Sequence, residues 1–165
     1  MTYLDLATPD GSHVEIAATG WHVRPGTAPP PVLFVRTDAI APLPAPERGD
    51  ATRADLARIL GLSTADPRFR IAWGWLVAQA LPDIARPFLY LVGSQGSGKT
   101  TRGLLLANVL EPQAALGGVL KRTERENNPV AKSSFILTAD NMTKLTEDVS
   151  NWLCSLVTGL LLRER

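Results

Sequence analysis

The chain has 165 residues, 45% of them hydrophobic, and a formal net charge of +1. That length and apolar content support one compact domain or two small ones and exclude wholesale disorder. The near-neutral balance excludes a polybasic arm or an acidic tail as the basis of function, and it gives little for gripping nucleic acid unaided. Residues 1–50 read as a β-rich region with a Pro-rich linker. Tyr3 to Leu6 is apolar-rich, and Pro9-Asp10-Gly11 supplies a turn whose glycine accepts positive φ. His13-Val14-Glu15-Ile16 alternates polar and apolar, Gly20 to Arg24 follows as a third strand, and Val32 to Arg36 as a fourth. A small antiparallel meander is expected here. Residues 37–50 carry Pro42, Pro44 and Pro46 and form the linker.

Residues 51–82 read as helical. Ala51 to Leu60 places Leu56, Ile59 and Leu60 on one face, with Gly61 near the stop. Asp66-Pro67 is an N-cap followed by proline at the first helical position, and the helix to Leu81 carries Ile71, Trp75 and Ala78 along one stripe. Pro87 to Val92 is a continuous apolar run of strand length, the pattern of a parallel strand covered on both faces. A helix is expected over Lys99–Leu110, a weak strand at Val119-Leu120, and a charged helix over Thr123–Ala131 disturbed by Pro129. Ser134 to Thr138 is a second buried-type strand, and Thr146-Glu147-Asp148 opens a last helix through Trp152.

The stretch Gly93-Ser94-Gln95-Gly96-Ser97-Gly98-Lys99-Thr100 matches the phosphate-loop pattern of glycines ending in Lys and Thr. The glycines let backbone N–H groups converge on phosphate oxygens, and the following helix turns its positive N-terminus toward the same anion. In this reading Lys99 reaches the β- and γ-phosphates, Thr100 offers its hydroxyl to Mg²⁺, and Thr101 touches a phosphate oxygen further back. The cofactors expected are ATP and Mg²⁺. A chance match in a glycine-containing turn is the alternative, and an apolar strand before the loop with an apolar helix after it weighs against that.

A phosphate-loop protein needs a carboxylate on a neighbouring strand to hold magnesium. Asp140 ends the run Phe135 to Ala139, on the side of a parallel sheet where ligands bind, and is assigned the metal role; a turn or N-cap is its alternative. Asn141 follows, where many ATPases carry a glutamate; it can orient a water but cannot accept its proton. Glu147 and Asp148 are candidate bases whose simpler task is to complement a helix dipole.

The strand and loop Leu91 to Thr101, the strand ending in Asp140-Asn141 and the later Trp152 to Gly159 resemble the ATPase domain of bacterial and phage primase-helicase-like proteins, in the superfamily-three and AAA+ group of P-loop ATPases. The resemblance implies an α/β fold, a three-layer αβα P-loop core over residues 83–165, preceded by the β-meander and two helices. It implies an oligomeric, DNA-acting ATPase in which Lys99 and Thr100 bind nucleotide and magnesium and Asp140 is the second acidic motif. Such domains continue with a strand carrying a polar sensor and an arginine that completes a neighbour's site. Here neither is placed: Arg163 and Arg165 read as solvated terminal charges. Two core strands are too few for a doubly covered sheet, so the core is expected to be incomplete, finished by a homo-oligomer partner or another segment.

Cys154 cannot pair internally and no Cys/His set has zinc spacing, so the expected compartment is reducing cytoplasm; no signal peptide or membrane span is read. His13 and His22 are expected at the surface, Cys154 buried, and Trp73 and Trp75 in the core. Arg122 and Arg125 belong to a mixed-charge, solvated stretch. Two other functions stay open: a small-molecule P-loop kinase, opposed by the 92 residues before the loop, and a nucleotide-binding remnant without catalysis, favoured by Asn141.

Overall fold

The computed structural model of the chain describes residues 1–36, 41–81, 84–111, 120–121, 123–140, 142 and 144–158. Among them are strands β1 (Thr2–Asp5), β2 (His13–Ala17) and β3 (Gly20–Arg24) and helices α1 (Arg53–Ile59), α2 (Pro67–Ala80), α3 (Lys99–Leu110), α4 (Glu124–Ser133) and α5 (Glu147–Val157). The expected strand at Val119-Leu120 falls partly outside the described residues, and Arg122, Arg163 and Arg165 lie wholly outside them.

The three strands form an antiparallel sheet in chain order, with Leu4 opposite Val14 and Val14 opposite Val23. The first connection turns at Gly11, φ 78°, where Asp10 accepts the Ser12 hydroxyl at 2.6 Å. Residues 32–36, expected as a fourth strand, join no ladder. Their side chains are used instead: Arg36 Nη2 donates to Asp5 Oδ1 at 2.6 Å, and the Phe34 ring lies 6.2 Å from that of His13. Three prolines immediately before the segment supply no N–H for pairing. His13 is not a surface residue; it is fully buried between Tyr3 and Phe34.

The helical part has its own core. Thr52 caps α1 in a reciprocal capping box with Asp55, two residues inside the expected Ala51 start, and Asp66 caps α2 ahead of Pro67 as expected. Ala57 and Leu60 of the α1 end, Phe69, Ala72 and Leu76 of α2 and Leu106 of α3 pack together, with Trp73, Trp75 and Leu89 against them. The buried stripe of α2 is therefore Phe69, Ala72, Leu76 and Gln79; Ile71, expected on it, is 64% exposed, and Ile59 of α1 also faces outward. Apolar residues on nearly every side of α2 leave its periodicity ambiguous, and packing against α1 and α3 decides the face.

Neither apolar run expected as a parallel strand belongs to a ladder among the described residues. Residues 87–92 still alternate: Leu89 and Leu91 turn toward the helices, while Phe88, Tyr90 and Val92 are 54%, 74% and 78% exposed. The run is thus covered on one face, not two. Trp75 Nε1 and Gln79 Nε2 of α2 donate to the Pro87 carbonyl at 2.9 and 3.2 Å and fix where it begins. Residues 134–138 are held differently. Buried Glu111, the C-cap of α3, accepts the N–H of Phe135 at 3.0 Å and of Ile136 at 2.7 Å, so these two amides serve a carboxylate rather than a neighbouring strand. Pro129 lies inside α4, and α5 is joined to α4 by Trp152 Nε1 donating to Asn128 Oδ1 at 2.9 Å. Cys154, expected buried, is exposed on α5. Among the described residues no helix is long and apolar enough to cross a membrane.

Candidate functional site

The half-buried run to Leu91 delivers the chain to Gly93, and α3 begins six residues later at Lys99. The turn between them is made by backbone that favours glycine. Gly96 and Gly98 have φ of 77° and 75°, a region where a Cβ is strained, and Gly98 is the N-cap of α3. No side chain caps that helix, so the amides of its first turn remain for a ligand. Gly93 lies close to Ser97: a Cβ there would stand 2.8 Å from Ser97 Oγ, which would have to turn aside. Ser97 N–H donates to the Ser94 carbonyl at 3.3 Å and closes the loop on itself.

The Lys99 ammonium folds back over this loop, donating to the Ser94 carbonyl at 2.7 Å and lying 3.5 Å from Ser97 Oγ. Among the described residues no carboxylate pairs with it; it rests on neutral oxygens that an anion could outcompete. Thr100 and Thr101 stand in the first turn of α3, and Ser94 and Gln95 are exposed on the loop. Thr100 Oγ1 donates to Asp140 Oδ2 at 2.9 Å across 40 positions of sequence. The two residues expected to share a cation are therefore adjacent, although the strand expected to carry Asp140 forms no ladder. Glu111, through its bonds to Phe135 and Ile136, ties the α3 end to the segment that carries Asp140.

A cavity of about 590 Å³ opens beside this pair, lined by Gly93, Lys99, Thr100 and Asp140 at one end and by apolar groups such as Phe88 and Leu137 elsewhere. Its polar end has the composition an Mg·triphosphate requires: one ammonium, a hydroxyl and a carboxylate as hard oxygen donors, and an uncapped helix start. Asn141 lies outside the described residues. Glu147 and Asp148 occupy the first turn of α5, where they complement the helix dipole, and Asp148 lines a separate polar cleft with Arg125 and Trp152. Among the described residues no group of three His, Cys, Asp or Glu gathers as a metal cluster.

Two contributors were not read from the sequence. Nothing near Glu111 in sequence announces bonds to residues 24 and 25 positions away. Arg102 donates from Nη1 to the Ser97 carbonyl at 2.9 Å, fixing the loop from behind. A cation two positions beyond Thr100, in a helix start without an acid, was the available signal.

No curated protein and no solved structure matches the chain significantly. A family model described as actinomycete integrative conjugative element replication protein matches residues 54–163, about two thirds of the 165. That span runs from α1 through the phosphate loop and Asp140 to beyond α5. The chain belongs to the family of actinomycete integrative conjugative element replication proteins.

Proposed function

We propose that the chain is the Mg·ATP-binding module of a helicase-type replication ATPase, a P-loop core in which residues 87–92 and 134–138 take the place of core strands. One observation carries the reading: Thr100, the last residue of the loop pattern, hydrogen-bonds Asp140 at 2.9 Å from 40 positions away. A glycine turn matched by chance gives no reason for a distant carboxylate to meet that hydroxyl. The triphosphate would lie over the amides of residues 96–100, with the uncapped α3 start beneath it. Lys99, which donates to the Ser94 carbonyl, would bind the β- and γ-phosphate oxygens instead. Thr100 and Asp140 would hold magnesium, which when bound offsets phosphate charge. Asp140 gains a role beyond accepting the Thr100 proton, and Asn141 beside it would orient a water rather than deprotonate it.

The replication family supports DNA as the partner of the complete protein, and the single-faced cover of residues 87–92 supports assembly with further copies or another segment. Titrating Mg·ATP into the folded chain in a calorimeter tests the first part; saturable heat is expected, and its absence removes the reading. Hydrolysis by the complete protein is then measured with and without single- and double-stranded DNA. Stimulation is expected, and turnover indifferent to both would leave a nucleotide-binding module without the helicase-type role.

A further inference from the structure

We propose that Arg102 is a positioning residue that ties the phosphate loop to the C-terminal end of α1, so that nucleotide in the loop and the packing of α1 are energetically coupled. The inference rests on the nucleotide reading above. Arg102 touches two segments outside its own helix. Its Nη1 donates to the Ser97 carbonyl at 2.9 Å and its Nε to the Leu60 carbonyl at 3.0 Å. Ser97 is the loop residue whose Oγ lies beside Lys99, and Leu60 is the buried C-cap of α1. The left-handed Gly61, φ 68°, follows Leu60 and turns the chain so closely past the arginine that a Cβ there would lie 3.6 Å from Nη2. One planar group thus spans two carbonyls that belong to segments 37 positions apart in sequence, Leu60 and Ser97.

The electrostatics argue that the arrangement is not incidental. A cation in the first turn of a helix opposes the macrodipole, and α3 has no acid in that turn to relieve Lys99 and Arg102. Arg102 is half-buried there, bonded through Nε and Nη1 to neutral carbonyls. An anion bound at the α3 start relieves this repulsion, so occupancy should tighten the arginine's hold on both carbonyls. Lysine cannot reproduce it, because a single ammonium lacks the rigid fork that reaches both acceptors. Coupling of this kind is reciprocal: if nucleotide steadies the end of α1, loosening that end weakens nucleotide binding by the same factor.

Hydrogen exchange on the full chain, with and without Mg·ATP, reads both ends of the tether. In the wild type, nucleotide is expected to slow exchange at residues 93–98 and also at residues 56–62. In Arg102→Met the first effect persists while the second is lost, and the dissociation constant rises about tenfold, the scale of one charge-assisted hydrogen bond. Arg102→Lys is expected to restore folding without restoring protection at 56–62 or the affinity coupled to it, which a merely structural role would restore together with stability. Wild-type binding with unchanged exchange at 56–62, or wild-type affinity and protection in either variant, overturns the proposal and leaves the nucleotide reading intact. A wild type that takes no nucleotide overturns both. Exchange at residues 60–62 without nucleotide, faster in Arg102→Met, then still reports whether the tether exists.

Discussion

At the scale of single residues, Lys99 and Asp140 make separable predictions because their chemistry differs. Lys99→Ala removes the ammonium that now rests on the Ser94 carbonyl, and the loss of a hydrogen bond from a charged group costs about 1.5–3 kcal/mol. Mg·ATP affinity measured by calorimetry should fall at least tenfold at any magnesium concentration. Asp140→Asn keeps an acceptor for the Thr100 hydroxyl but removes the charge that favours a divalent cation. Its affinity for ATP should recover as magnesium is raised, whereas that of Lys99→Ala should not; identical magnesium dependence in the two would sink the metal role of Asp140. Asp5 makes a prediction about pH. Burial pushes its carboxyl up, but the Arg36 hydrogen bond, the Ala7 N–H and the Arg36 charge outweigh it and hold the carboxyl below its ordinary value of 3.8. A depressed carboxylate contributes stability above the unfolded value and loses it as the pH falls through the folded one. Wild type should therefore melt higher than Asp5→Asn at pH 7, by the equivalent of about 0.5–1 kcal/mol for a partly exposed pair, and this advantage should fade below pH 3.8. An advantage that persisted or grew in acid would refute the assignment. Asp10, held down to about 2 first by the Ser12 hydroxyl, gives way in the same acid range.

Among elements, the segment before Asp140 is the one whose fixing is least expected. Its amides at Phe135 and Ile136 end on the Glu111 carboxylate, which α3 holds at its own C-terminus. Glu111→Leu would remove the carboxylate that accepts from both amides, and losing hydrogen bonds to a charged group costs about 1.5–3 kcal/mol each. The expected result is fast exchange at 135 and 136 and weakened Mg·ATP binding, because Asp140 loses its placement against Thr100. Unchanged exchange there would show that the carboxylate does not hold the segment. The same element explains what sequence reasoning could read. The starts of α2 and α5 were readable because their signals are local: Asp66 before Pro67 and Thr146 accepting the Val149 N–H act within a turn, as does the Thr52 and Asp55 pair, which sets α1 two residues inside the expected Ala51. The phosphate loop was readable because its glycines and Lys99 are contiguous. The buried face of α2 and the fate of residues 134–138 were not, because both are settled by groups far away in the chain. His13 misled for a related reason, since alternation placed it on a strand while rings from Tyr3 and Phe34 cover it.

For the whole molecule, the described residues pack in two regions: the antiparallel sheet, with Leu6 and Val14 buried, and the helical core around Phe69 and Leu76. The end proposed to bind nucleotide belongs to the second, and its outer side carries exposed apolar groups. Phe88, Tyr90 and Val92 stand on the uncovered face of one extended run, and Phe135 is half-exposed beneath the Arg86 guanidinium at 4.9 Å. Aromatic and β-branched groups aligned this way favour burial against another surface, at roughly 25 cal/mol for each Å² covered. An extended run without a ladder also offers backbone groups for pairing. The chain alone should therefore associate as concentration rises, measured by sedimentation, and should bind a hydrophobic dye. Replacing Phe88 and Val92 together by serine should reduce both. A wild type that stays monomeric and dye-silent across the range would mean that this face needs no cover, and the idea that further copies or another segment complete the core would fall with it.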